Sequence, residues 1–332
     1  MIPPRVWALL GARAGDNDQV LALAEALGMP FEVKRLQFNR LHYLGPRLLG
    51  HSLASLTKAS RKAILAEPPP DLTISTGHRS VPLVRALRKQ SNGKTRSIHV
   101  GFPRISPSHF DLVIATSQYP IADHPDLLRI PYALTTHAAA MSGASAAVLR
   151  SLKRPVQLLI VGGPTIYWTL DEGLLLRGLS EMLGEAGDQG GSVVVTTSPR
   201  TPPETRSKIA AMLTNSAVET VLAEPGKSPS YADVLMSADS IRVTADSVSM
   251  VSDAVWTGKP TRLIPIAKSP AGRVVFGLMD RLRPGKRIYP QDLRFFWQAL
   301  DGIGVSERET VPPCTDMLRE ILDRSRAALA GR

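Results

Sequence analysis

A single cysteine, Cys314, in 332 residues excludes a disulfide framework and a cysteine-built zinc site. Aromatic residues make up only 5% of the chain. Basic stretches therefore lack the interleaved rings of a nucleic-acid-binding surface, and nucleic acid is not expected as a partner. No apolar run reaches the roughly 18 residues needed to span a bilayer. The longest uncharged stretch, Ile130 to Leu149, is diluted by Pro131, Thr135, Thr136, His137 and Gly143 and reads as a linker. Near the N-terminus only Val6–Leu10 is apolar, too short for the core of a secretory signal, so the expected location is cytoplasmic. The seven histidines show no H-E-x-x-H or other metal spacing, and neither a G-x-S-x-G elbow nor a Walker loop occurs.

What is present describes a folded protein, with 43% hydrophobic and 21% charged residues. The length exceeds one ordinary core and predicts a domain over residues 1–150, a second over 151–310, and a C-terminal segment over 311–332. The net charge of +11 is unevenly divided, with +9 in residues 1–150 and +2 in the remainder. Between Asp71 and Asp111 there are seven cations and no acid, and between Glu32 and Glu67 the cations again stand alone. Such a surface attracts an anionic partner: nucleic acid, acidic lipid or a phosphorylated substrate. The plainer reading is a charge that only solubilises.

Short apolar runs alternate with helical patterns. Strands are predicted at Val6–Leu10, Phe31–Leu36, Asp71–Ser75, Ser97–Val100 and Asp111–Ala115, with helices over Val20–Leu27 and Val81–Lys89. After the uncharged stretch the alternation restarts: strands at Val156–Val161, Val193–Thr197, Thr220–Leu222, Ser240–Val243 and Thr261–Ile264, separated by helical segments. Strands alternating with helices imply right-handed βαβ units and a parallel sheet. The expected class is α/β with two doubly wound domains. The amphipathic segment Met317–Leu329 is expected to cross back and brace the first.

In open parallel sheets, ligands bind beyond the carboxyl ends of the strands. Three polar clusters stand there in the second half. Gly162-Gly163-Pro164-Thr165 has backbone amides able to cradle phosphate. Ser198-Pro199-Arg200-Thr201 offers a cation in Arg200. Thr244-Ala245-Asp246-Ser247-Val248-Ser249 opens a helix, with Asp246 or Ser247 as N-cap and free first-turn amides as an anion site. Asp253, one turn beyond Ser249, is placed to accept a hydrogen bond from a sugar hydroxyl. Plainer readings stand beside these: a simple turn, a solvated loop cation, a helix cap. In the first half, the loop Gly11–Gln19 leads into a helix without the G-x-G-x-x-G spacing of a dinucleotide site. There Asp16 and Asp18 also read as partners of the helix dipole, and His78, in Thr76-Gly77-His78-Arg79-Ser80, as a loop histidine.

These segments are familiar in combination. Gly15-Asp16-Asn17-Asp18-Gln19, Ile74–Arg79, Pro103–Pro107, Phe110–Ala115, Gly162–Thr165, Thr197–Pro202 and the long run Ala238–Ala254 together resemble the elongated-mitochondria fission family. Its bacterial members are often labelled nucleoside-diphosphate-sugar epimerase-like, and its plant members are described as recruiting a dynamin-type GTPase to mitochondria. A chain without an evident mitochondrial address fits the bacterial branch. The run Thr244–Ile266 is also similar to the donor site of GT-B glycosyltransferases, among them the N-acetylglucosaminyltransferase that makes the lipid-linked peptidoglycan precursor. That likeness implies a helix start holding diphosphate at Ser247 and Ser249, and an acid binding ribose at Asp253. The loop after the first strand commonly carries a histidine in both groups, where this chain has Asp16.

The resulting expectation is a GT-B-like fold, two Rossmann-like domains with parallel sheets facing across a cleft. The expected activity is metal-independent transfer of a sugar from a nucleotide diphosphate sugar to an anionic or lipid-linked acceptor, with no cofactor required. Asp16 is the expected general base, with His78 next, and Gly163, Arg200 and Ser247 are expected to stabilise the departing diphosphate. Alternatives are a non-catalytic scaffold recruiting a protein partner at a membrane, and a nucleotide-sugar epimerase or hydrolase. The segment Arg40–Lys62 combines seven leucine or tyrosine side chains with five Lys or Arg and no acid. It reads either as a helix folded into the core or as a peripheral patch for an anionic membrane on the inner face.

Overall fold

Apolar runs of four to six residues form the centre of each sheet. The computed structural model describes residues 3–135, 144–226, 229–287, 292–305 and 315–330. The first half forms β1 (Val6–Leu10), α1 (Ala14–Ala26), β2 (Phe31–Arg35), α2 (Gly45–Leu49), α3 (Lys58–Leu65), β3 (Leu72–Thr76), α4 (Gly77–Gln90), β4 (Arg96–Val100), β5 (Leu112–Thr116) and β6 (Leu127–Ile130). These six strands make one parallel sheet in the order β2-β1-β3-β4-β5-β6. β1 and β5 are buried along their whole length, as expected of strands covered on both faces by helices. Val81, Val84 and Leu87 of α4 close over Trp7 and Leu9 in one core. The edge strand β2 instead exposes Glu32, Val33 and Arg35, and its charges discourage further pairing.

The second half forms α5 (Ala144–Ser151), β7 (Val156–Val161), β8 (Trp168–Leu170), α6 (Glu172–Gln189), β9 (Ser192–Thr197), α7 (Pro203–Thr214), β10 (Glu219–Ala223), α8 (Tyr231–Ser237), β11 (Ser240–Thr244), α9 (Val248–Trp256), β12 (Thr261–Ile264), β13 (Ile266–Lys268), α10 (Pro270–Leu282) and α11 (Leu293–Gly302). Five of its strands form a second parallel sheet in the order β10-β9-β7-β11-β12. β7 and β9 are wholly buried. β8 and β13 pair antiparallel as a small ribbon over a satellite core of Trp168, Phe276 and Leu293. α12 (Thr315–Ala330) packs against β4 and β5, burying Ile321, Ser325 and Ala328. The chain thus divides into two compact units, Met1–Thr136 with Cys314–Arg332, and His137–Pro313.

Two expectations are corrected. The uncharged stretch Ile130–Leu149 is not simply a linker: Ile130 ends β6, Tyr132, Ala133 and Leu134 are buried, and α5 begins at Ala144. Over residues 130–134 its lack of charge accompanies burial. Residues 136–143 and Cys314 lie outside the described residues. The segment Arg40–Lys62 is not one core helix either. It forms a 3-10 turn over Arg40–Leu44, then α2, then the start of α3, and the φ of +73° and +55° at Gly45 and Gly50 breaks it on both sides of α2. Leu56 is buried, whereas Tyr43 is 79% and Leu48 78% exposed. Among the described residues no helix is long and apolar enough to cross a membrane.

Sheet order fixes where each half gathers its loops. The first sheet reverses direction between β1 and β3, the second between β7 and β11. At such a reversal, successive crossovers leave on opposite faces and open a crevice beyond the carboxyl ends of the strands.

Candidate functional site

The reversal in the second sheet brings the three clusters of that half together. Asp246, just beyond β11, has a fully buried side chain. Three donors meet its carboxylate: Thr244 Oγ1 at 2.6 Å, the Gly163 N–H at 3.0 Å and Arg200 Nη2 at 2.8 Å. The Gly162 N–H donates to Thr244 Oγ1 at 2.8 Å, and Arg200 Nη1 donates to the Gly163 carbonyl at 2.7 Å. Thr201 Oγ1 donates to the Gly162 carbonyl at 2.6 Å. Loops from β7, β9 and β11 are therefore joined through one ion pair between the buried Asp246 and the partly exposed Arg200.

This lattice accounts for both glycines. A Cβ on Gly162 would lie 2.1 Å from Asp246 Oδ1, and one on Gly163 would lie 2.2 Å from the Arg200 carbonyl oxygen. Close packing within the protein, rather than room for a ligand, demands glycine there. The Gly163 amide, expected to face phosphate, already donates to Asp246. Thr165 is exposed and closes the turn into β8: its N–H donates to the Trp168 carbonyl at 2.8 Å, and its hydroxyl accepts from the Trp168 N–H at 3.2 Å.

α9 starts beside this lattice. Ser247 is its N-cap, its hydroxyl accepting from the Met250 N–H at 3.5 Å. Val248 and Ser249 occupy the first turn, whose amides a helix leaves without intrahelical partners. Gly258, at φ +70°, ends the helix beyond Thr257. Asp253 is buried one turn in and accepts from Tyr231 Oη at 3.1 Å. Burial, reinforced by the Asp253 charge, pushes the Tyr231 hydroxyl well above its ordinary value, so it stays a donor. Trp297 Nε1 donates to the Ala245 carbonyl at 3.0 Å and props the loop from below. Neither Tyr231 nor Trp297 was marked by the sequence. Tyr231 stands on α8 and Trp297 follows Phe295 and Phe296 on α11, and no local pattern ties either to its partner.

The reversal in the first sheet gathers a different set. Asn17 folds the loop after β1 by accepting the Gly11 N–H at 2.8 Å and donating to the Gly11 carbonyl at 3.0 Å. That fold sets Asp16 in the first turn of α1, half-buried. Burial pushes the Asp16 carboxyl up, and the nearby Arg13 charge partly opposes this. His78 opens α4, whose N-cap Thr76 supplies no side-chain hydrogen bond. Burial, then the charges of Arg104 and Arg79, holds His78 down at about 4, neutral at ordinary pH. Arg104 itself sits at φ +62°, a left-handed conformation costly for a residue with a side chain. Arg13, Arg79 and Arg104 thus bear on a neutral imidazole, and Arg13 also on a carboxyl whose burial opposes ionisation. A base works best with a pKa near the operating pH. Asp16 is displaced upward, toward that pH, and His78 downward, away from it.

Similar proteins cover most of the chain. An uncharacterized protein, RP120, of Rickettsia prowazekii is 24% identical over 292 residues, 77% of this chain and 81% of that one. The UDP-GlcNAc 2-epimerase of Methanocaldococcus jannaschii is similar in structure at a TM-score of 0.52 and 12% identity, with 93% of this chain and 94% of that one covered. MurG of Acinetobacter baumannii aligns at a TM-score of 0.45 and 13% identity, with 97% and 100% covered. At so low an identity the epimerase likeness speaks to the fold alone, and the fold, with its two parallel sheets, is GT-B-like. The model of the mitochondrial fission ELM1 family matches residues 14–300, and the chain belongs to that family.

Proposed function

We propose that this protein transfers a sugar from a nucleotide diphosphate sugar to an anionic or lipid-linked acceptor. The observation that carries the reading is the pairing of chemistry with topology. Each sheet reverses direction once, and the candidate residues of each half stand at that reversal. In the second unit, Arg200 and the first-turn amides of α9 would neutralise the departing diphosphate, with Ser247 and Ser249 beside it. Fixed cations and amides substitute for a metal because they need no reorganisation as charge develops. Asp253, held by Tyr231, would accept from a ribose hydroxyl. In the first unit, Asp16 would take the acceptor hydroxyl proton while Arg13, Arg79 and Arg104 hold the acceptor's negative charge.

The reading is tested by unfolding midpoints measured with a panel of nucleotide sugars. A ligand of the native state at a hundredfold excess over its Kd adds about 2.7 kcal/mol, a shift of several degrees. No shift with any of them removes the donor site. A shift with product formed in the absence of acceptor replaces transfer by epimerisation or hydrolysis, the M. jannaschii neighbour being an epimerase. A shift with no product under any condition favours a scaffold that retains its ligand.

A lipid-linked acceptor would require contact with a membrane. The exposed Leu41, Tyr43, Leu44 and Leu48, with Arg40 and Arg47 among them, support a peripheral site on an anionic surface reached from the cytoplasmic side. Arg47→Glu with Lys58→Glu is expected to reduce co-sedimentation with anionic vesicles. Equal sedimentation with neutral vesicles defeats this part.

A further inference from the structure

A second concentration of positive charge lies away from both sheet reversals. His51, Arg85, Arg88, Lys89, Ser108 and His109 line a cavity of about 360 Å³ in the first unit. Three are permanent cations and two are imidazoles. Asp111 reaches only one of them, Arg88, at 3.2 Å, and shares itself with Arg96. Among the described residues neither Arg85 nor Lys89 has an acidic partner. Arg85 Nη2 instead donates to His51 Nε2 at 3.2 Å, which leaves that imidazole neutral. Burial and the charges of Arg85 and Lys89 hold His51 below its ordinary value, and burial with Arg85 does the same to His109. The fold thus assembles like charges of which only Arg88 meets a carboxylate, and an entering dianion would relieve the repulsion.

The surroundings indicate what carries that anion. His51 follows α2 by two residues, and α2 packs against α4, which supplies Arg85, Arg88 and Lys89. α2 and the turn before it expose Tyr43, Leu44 and Leu48. A cationic hollow and a set of solvent-facing apolar side chains therefore share one short segment. A soluble phosphate would satisfy the hollow but would leave Leu48 and Tyr43 in water. A lipid satisfies both.

We propose that this cavity binds the phosphomonoester headgroup of a membrane lipid, with Tyr43, Leu44 and Leu48 entering the interface beside it. The idea rests on the peripheral-membrane reading but is narrower than it. A monoester presents three free oxygens and nearly two charges, and a diester has fewer of both, so the donors around the cavity discriminate between them.

The test is co-sedimentation with phosphatidylcholine vesicles carrying either phosphatidic acid or phosphatidylglycerol, matched in surface charge. Binding is expected to be several-fold tighter with phosphatidic acid. Arg85→Gln with Lys89→Gln should abolish that preference, each lost cation weakening attachment about fivefold, while attachment to phosphatidylglycerol through Arg47 and Lys58 persists. His51→Gln, a milder change, should lower the preference in part, and far-UV circular dichroism checks that each variant folds. Tyr43→Ser with Leu48→Ser should weaken binding to both vesicles. Equal binding at matched charge overturns the headgroup site and leaves the general membrane contact standing. Failure to bind either vesicle overturns both. A raised melting point with glycerol 3-phosphate but no vesicle binding assigns the cavity to a soluble phosphomonoester and overturns the lipid.

Discussion

The two sheet reversals are built on opposite electrostatic plans. In the second unit a buried carboxylate, Asp246, is met by a guanidinium, a hydroxyl and an amide, leaving little to rearrange. In the first unit Arg13, Arg79 and Arg104 bear on a histidine held neutral at ordinary pH, and Arg13 also bears on an aspartate whose burial opposes ionisation. A saturated lattice is rigid and suits a group that must be held the same way at every turnover. A repulsive cluster gains most from a ligand, and suits a group whose charge completes it. On the proposed function, the difference fits an invariant donor held by the second unit and a variable acceptor held by the first.

The largest effect should come from the repulsive side. Asp16→Asn is expected to lower transfer by about 10²–10⁴-fold, the usual contribution of a general base. Donor affinity, measured by calorimetry, should not move. A loss of donor affinity in this variant would mean that the two edges are not functionally separate. Full activity would pass the role of base elsewhere.

Next comes the saturated side. Gly163→Ala drives a methyl group against the Arg200 backbone, which has no flexible end to yield. Overpacking of that kind costs about 3 kcal/mol. Gly162→Ala meets the Asp246 side chain instead and should cost less. Thermal unfolding of the pair ranks them, and an equal or reversed order would show that the lattice is softer than its geometry implies.

Asp253→Ala should weaken nucleotide-sugar binding by about 10–150-fold, the loss of one charge-assisted hydrogen bond. Tyr231→Phe is expected to act in the same direction and less strongly, since it frees the carboxylate without removing it. Unchanged calorimetric affinity for every ligand that binds wild type would remove Asp253 from the donor site.

The smallest effect is a pH slope. His78 and the fully buried His99 titrate in the folded protein near 4 and 3, below the ordinary value of 6.5. Between those values the unfolded chain binds protons that the folded one does not. Stability is therefore complete above about pH 6.5 and declines as pH falls toward 4. His99→Gln should flatten the decline measured by denaturant unfolding. An unchanged slope would assign it to other groups.

Much of this was legible beforehand, for identifiable reasons. Val156–Val161 and Val193–Thr197 announce themselves because strands covered on both faces are apolar throughout. The polar residues that follow them mark the sheet edge without reference to anything distant. β6 was hidden because Arg129 interrupts its four residues, its guanidinium turning back to Asp123 at 3.0 Å. β8 and β13 are three residues each, and their pairing joins segments far apart in the chain. The partners of the candidate residues were invisible for the same reason. Arg200 reaches Asp246 across 46 positions and Tyr231 reaches Asp253 across 22, with no spacing rule to connect them. The sequence shows which residues stand at a strand end, whereas which of them are already engaged is decided by tertiary packing.

The return of α12 to the first sheet bears on how the protein is made. Domains emerging from the ribosome ordinarily fold from the N-terminus onward. Here the first unit is interrupted, and β4 and β5 wait for a helix that ends at Ala330. At ordinary elongation speeds, the roughly 200 residues separating β6 from the end of that helix take about 10–40 s to synthesise. The second unit is continuous in the chain and has all its strands before the first has its last helix. Synthesis thus reverses the usual order. The later unit can complete first, and the sheet carrying the cationic cluster stays uncovered on one part of its face until translation has passed its final helix.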